Sequence, residues 1–82
     1  MARIEIGKNL LVDHRVCGGR LIFKGTRILV SDVLELSRAG LAPQQVAEQY
    51  AGIITADAVR EAKALVRRGL VKEILLKTQT AA

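Results

Sequence analysis

The chain is poor in aromatic residues: Phe23 and Tyr50 are the only two, and tryptophan is absent. Proteins that hold single-stranded nucleic acid stack bases on aromatic side chains, so this scarcity argues against the common RNA-binding modules. Cysteine, histidine and proline each occur once. The lone Cys17 allows no intramolecular disulfide, and with His14 as its only potential co-ligand of that kind it falls short of the roughly four ligands structural zinc takes. One histidine without a nearby nucleophile supports no triad, and the eight acidic residues are scattered, so neither an enzyme nor a metal or cofactor site is expected. There is no secretory signal and no apolar run of membrane-spanning length, which points to a cytoplasmic protein with no membrane role.

What remains is aliphatic and basic. Half of the 82 residues are hydrophobic, mostly Leu, Val, Ile and Ala, enough for one small core. A domain of this size buries only about 60% of its unfolded surface, so its stability should be modest and a homodimer is expected. The formal charge of +5 favours a polyanionic partner. It is spread unevenly: six basic and two acidic residues give +4 over 1–30, one basic and three acidic give −2 over 31–52, and six basic and three acidic give +3 over 53–82.

Residues 3–12 alternate at Ile4, Glu5 and Ile6 and then, past Gly7, Lys8 and Asn9, run apolar through Leu10, Leu11 and Val12, as two short strands would. Residues 13–19 read as a loop loosened by Gly18 and Gly19. Leu21, Ile22 and Phe23 then face Thr26, Arg27 and Ile28 across Lys24 and Gly25, the pattern of a tight hairpin or bent strand pair with positive φ at the glycine. From Ser31 the period becomes helical. Ser31 or Asp32 is placed to cap, Asp32 and Glu35 have capping-box spacing, and Val33, Leu34 and Leu36 form an apolar stripe in a helix running to Gly40. Pro43 suits a first helical position, Val46, Ala47 and Tyr50 share a face of a second helix, and Gly52 ends it.

The third helix, residues 55–69, is the strongest signal. Thr55 is a good N-cap, Asp57 places negative charge in the first turn, and Ala58, Val59, Ala62, Leu65 and Val66 gather on one face. Arg60, Lys63 and Arg67 fall on the opposite face as a cationic ridge. A β-rich part over 1–30, three helices over 31–69 and an extension over 70–82 together suggest one mainly α domain with the element order of a helix-turn-helix DNA-binding protein. In that arrangement the third helix docks in the major groove of double-stranded DNA, with Arg60, Lys63 and Arg67 meeting phosphates or a guanine edge. Arg27 is a further phosphate contact, or a surface residue held by a nearby carboxylate. Residues 70–76 read equally as a helical extension or a closing strand.

The run GGRLIFKGTRILV at 18–30, the helix ending at Gly40, LAPQQVAEQY and the Thr-capped helix resemble a small prokaryotic family, domain of unknown function 433. Its pattern runs roughly G-G-x-P-x-I-x-G-T-R-I-x-V, then helix, Gly, helix and Tyr-Pro. Gly18, Gly19, Gly25, Thr26, Arg27, Ile28, Val30, Gly40, Val46 and Tyr50 stand where the pattern wants them, with K-G-T-R-I the most specific part. Leu21, Leu29 and Ala51 stand in place of the family's prolines, and Ala42 replaces the usual Ser or Thr cap. The resemblance implies a three-helix, homeodomain-like helix-turn-helix preceded by short N-terminal strands, and a role as the DNA-binding antitoxin of a toxin-antitoxin operon beside a PIN-like ribonuclease toxin.

Two blander readings stand beside this one. The ridge is also what a solvated helix face looks like, and Asp57 is spaced to pair with Arg60, whereas Glu61 has no basic residue three or four positions away. Alternatively, the chain is a protein-interaction module whose apolar stretch, with Leu70, Ile74 and Leu75 at its centre, binds a partner without sequence-specific DNA binding.

Overall fold

In the computed structural model, residues 3–69 are described. Three antiparallel strands, β1 (Arg3–Ile6), β2 (Leu10–Asp13) and β3 (Leu21–Phe23), form one sheet in the order β1-β2-β3. Ile4 faces Val12, Ile6 faces Leu10, and Leu10 in turn faces Phe23. Because successive strand residues point to opposite faces, Ile6, Leu10, Leu21 and Phe23 share one side and enter a cluster with residues of all three helices. The helices are α1 (Val30–Arg38), α2 (Pro43–Gln49) and α3 (Ala56–Arg67).

This corrects the expectation of a mainly α, homeodomain-like domain with strands as a prelude. Of the eight largest fully buried side chains, four (Leu10, Leu21, Ile22 and Phe23) come from the sheet and four (Val30, Val33, Val46 and Val59) from the helices, and all but Ile22 join one cluster. The fold is a small mixed domain of sheet and helices around one core. Helical periodicity could not show this, because it measures each helix's apolar face and not what covers that face.

Between β2 and β3 the chain turns through a short 3-10 segment, Cys17–Gly19, with Cys17 and both glycines at positive φ. Asp13, 7% exposed, organises the turn by accepting the Arg15 N–H at 2.9 Å. The K-G-T-R-I run has a clear physical basis. Gly25 sits at φ 74°, while the Thr26 hydroxyl donates to the Phe23 carbonyl at 2.8 Å and accepts the Ile28 N–H at 3.0 Å. Residues 26–28 therefore form a stitched turn with no regular second strand, closer to the bent pair than to the tight hairpin of the two readings. A bridge between Ile22 and Leu29 and a bond from the Phe23 N–H to the Ile28 carbonyl close the outer edge of β3.

That bridge also moves the start of α1. Leu29 is the N-cap, without a side-chain bond, so Ser31 and Asp32 lie inside the first turn and Glu35 pairs with Arg38 at 2.7 Å instead of closing a capping box. Gly40, at φ 105°, ends α1. At α2 the Ala42 cap lacks an oxygen, but Gln45 Oε1 accepts the Ala42 N–H at 2.8 Å, half of the reciprocal arrangement. Tyr50 is half-buried against the core, and burial raises its hydroxyl pKa above the ordinary tyrosine value, with the Asp32 charge adding to the effect.

Candidate nucleic-acid interface

The cationic side of α3 follows from how the helix is anchored. Thr55 Oγ1 accepts the Ala58 N–H at 3.1 Å and starts the helix as its sequence suggests. Ala58, Val59, Ala62 and Leu65 are buried, which turns Arg60 and Arg67 to solvent and leaves Lys63 half-buried. A second restraint sets the rotation of α3 about its axis. Glu61 accepts the backbone N–H groups of Lys8 and Asn9 at 2.8 and 2.9 Å, tying the helix to the turn between β1 and β2. No sequence spacing could find this pairing, because the donors are backbone groups more than fifty residues away.

The three ridge residues differ in their surroundings. Arg60 Nη1 lies 2.7 Å from Asp57 Oδ1, an exposed pair one turn apart. Such a pair contributes little to stability and gives way readily to a stronger anion. Lys63 and Arg67 meet no carboxylate among the described residues. With Ser37 and Arg38 from the last turn of α1 they line an open groove of about 320 Å³, floored by Leu34 and Val66. Arg38 is held in place there by Glu35.

Arg38 and Ser37 are the members that sequence reasoning missed. Leu34, Ser37 and Arg38 share one helical face by spacing, but only the packing of α1 beside α3 shows that this face meets the ridge. Three cations and a hydroxyl around one depression suit a phosphate. Arg and Lys side chains position a protein on a nucleic-acid backbone without reading sequence. The first turn of α3, where base contacts are commonly made, carries Ala56, exposed Asp57 and buried Ala58.

The structure does not bring Arg27 to this site. It is exposed in the turn after β3 and lines a separate groove of about 420 Å³ with Arg3, Leu11, Val16, Ile22, Gly25 and Thr26. Leu11 and Ile22 lie on the side of the sheet opposite the helices. The Arg27 carbonyl accepts a weak bond from Cys17 Sγ at 3.6 Å. Leu70, Ile74 and Leu75, expected to bind a partner, and the choice between helix and strand for 70–76 lie outside the described residues.

Residues 11–64 match the family described as "Protein of unknown function (DUF433)". The chain belongs to this family. The matched stretch of the DUF433 protein begins in β2 and ends within α3, so it takes in Arg38, Arg60 and Lys63 but neither β1 nor Arg67. Its fold is similar to part of the crystal structure of Rv2018 from Mycobacterium tuberculosis, with a TM-score of 0.56 and 38% sequence identity over 65% of this chain. The chain spans 24% of that longer protein. Comparison with curated proteins gives no match. Among the described residues, no helix is long and apolar enough to cross a membrane, and no group of three or more His, Cys, Asp or Glu could hold a metal ion.

Proposed function

We propose that this DUF433 protein binds double-stranded DNA through α3 and the end of α1, as the antitoxin and transcriptional autoregulator of a toxin-antitoxin pair. The observation that carries the DNA-binding part is the convergence of Lys63, Arg67 and Arg38 on one groove, where Lys63 and Arg67 meet no carboxylate among the described residues and Arg38 is shared with the exposed Glu35. The family resemblance supports the antitoxin role, with a PIN-like ribonuclease as the toxin.

In this reading α3 lies along a groove of the duplex, the cations of the α1 and α3 ends straddle the sugar-phosphate backbone, and Arg60 exchanges Asp57 for a phosphate or a guanine edge. Backbone neutralisation supplies most of the affinity and makes it steeply dependent on salt. The test is a gel shift on the DNA upstream of the protein's own gene, run across a salt series beside unrelated duplex, together with co-purification of the neighbouring gene product. A salt-sensitive shift that prefers the upstream DNA supports autoregulation. Binding of the neighbour with no DNA shift at any salt overturns it in favour of a module that only binds protein.

A further inference from the structure

The two edges of the sheet are treated differently. The outer edge of β3 is closed by its own chain through the Ile22–Leu29 bridge and the bond from Phe23 N–H to the Ile28 carbonyl. β1 pairs with β2 on one side, and no other described residue pairs with its opposite edge. An open edge strand is a template for another strand unless charge or shape blocks it. Ile4, in the middle of β1, is 56% exposed although it shares the face of Val12, which packs on the core.

The geometry points to a second copy of this chain as the occupant of that edge, joined antiparallel about a two-fold axis centred on Ile4. Symmetry and the pleat restrict the registers. Directly opposed residues in an antiparallel pair point to the same face, so the axis must lie midway between one residue and its own copy, which sets that residue against itself. Centring on Arg3 opposes two arginines, and centring on Glu5 opposes two glutamates, both unfavourable. Centring on Ile4 sets Ile4 against Ile4 of the second copy, extending the core face across the axis, and sets Arg3 against Glu5 twice. Both charged side chains have room for a second partner: Arg3 is 52% and Glu5 57% exposed despite their mutual contact at 3.9 Å and the Lys24 bond to Glu5. The product is a continuous six-stranded sheet with the closed β3 edges outermost. A four-residue edge contributes less area than the roughly 1,200–2,000 Å² of a stable interface, so the pairing is weak and concentration-dependent.

The pairing does not rest on the DNA reading, and its test uses the full chain without nucleic acid. Sedimentation equilibrium is measured for the wild type, Arg3→Glu, Glu5→Arg and the double exchange, with circular dichroism as the check on folding. The wild type is expected to dimerise, each single variant to weaken association by roughly tenfold or more because like charges now meet twice, and the double exchange to recover it. A wild type that stays monomeric at millimolar concentration overturns the proposal, as do single variants that associate like the wild type or a double exchange that does not recover.

Discussion

Gly7 and Glu61 fit each other as a vacancy and its filling: a Cβ on Gly7 would lie 2.6 Å from Glu61 Oε2. The same carboxylate accepts the N–H groups of the next two residues, Lys8 and Asn9. Gly7 also stands at φ 64°, where a side chain adds strain. Glu61→Ala should therefore destabilise the protein by about 1.5–3 kcal/mol, the usual range for hydrogen bonds to a charged group. Gly7→Ala should cost more in the wild type than in the Glu61→Ala background, because removing the carboxylate removes the clash and leaves only the φ strain. Urea midpoints of the two single variants and the double variant measure this coupling. Additive effects would show that the two residues do not depend on each other.

Ala51 follows α2 at φ 55°, in the left-handed region that L side chains disfavour, and its N–H donates to the Glu48 carbonyl at 3.0 Å. Ala51→Gly should stabilise the protein by about 0.5–1 kcal/mol, since relief of the strained backbone outweighs the greater freedom of glycine in the unfolded chain. Ala51→Pro should have the opposite sign, at about 3 kcal/mol or more, because proline fixes φ near −65° and removes the donor. Proline is the residue the family pattern carries there, so this turn has its own conformation. Thermal denaturation of both variants measures the difference, and a stable Ala51→Pro would refute the left-handed turn.

Acid should weaken the fold through two carboxylates in the sheet region. The Arg15 backbone N–H holds the Asp13 carboxyl below its ordinary value of 3.8, and the Lys24 ammonium bonded to Glu5 holds that carboxyl below 4.5. Both folded-state values are depressed, so in this window the unfolded chain binds more protons and stability rises with pH. The contribution is complete above about pH 5 and is lost as the pH falls through 4 and below. Urea midpoints between about pH 6 and pH 3 should fall steadily, and Asp13→Asn should flatten part of that slope. A slope unchanged in Asp13→Asn would remove Asp13 as a source.

How far the sequence reached depended on whether its signals were local. Thr55 as a cap, the buried face of α3, Gly25 at positive φ and Gly40 at the end of α1 all follow from spacing and residue chemistry within a few positions. What spacing missed was set by distant partners. Leu29, bridged to Ile22, displaced Ser31 and Asp32 from the cap of α1, and Thr26, bonded on both sides, decided between the tight hairpin and the bent pair. The weight of the sheet in the core depended on strands too short for their alternation to be measured against the helices. At the candidate site the ridge was visible and its neighbour on α1 was not, since helical period gives a face but not what the face meets.

The ridge residues should separate in a salt titration of DNA binding. Deleting a cation that meets a phosphate reduces the slope of log K against log salt by about 0.9 for duplex DNA. Lys63→Ala and Arg67→Ala should each approach that value, because neither gives up a described carboxylate on binding. Arg38→Ala should do so less completely, since Arg38 must be shared with Glu35, bonded at 2.7 Å. Arg60 must release Asp57, so Asp57→Asn, which keeps the side chain's size and removes its charge, should tighten binding to any duplex while Arg60→Ala weakens it. These changes should appear equally on specific and unrelated DNA if the groove only positions the backbone. A weakening confined to the upstream DNA would show instead that one of these side chains reaches a base edge, and Arg60, nearest the start of α3, is the one placed to do so. Unchanged slopes in the Lys63→Ala and Arg67→Ala variants would leave the groove as a solvated surface between two helices.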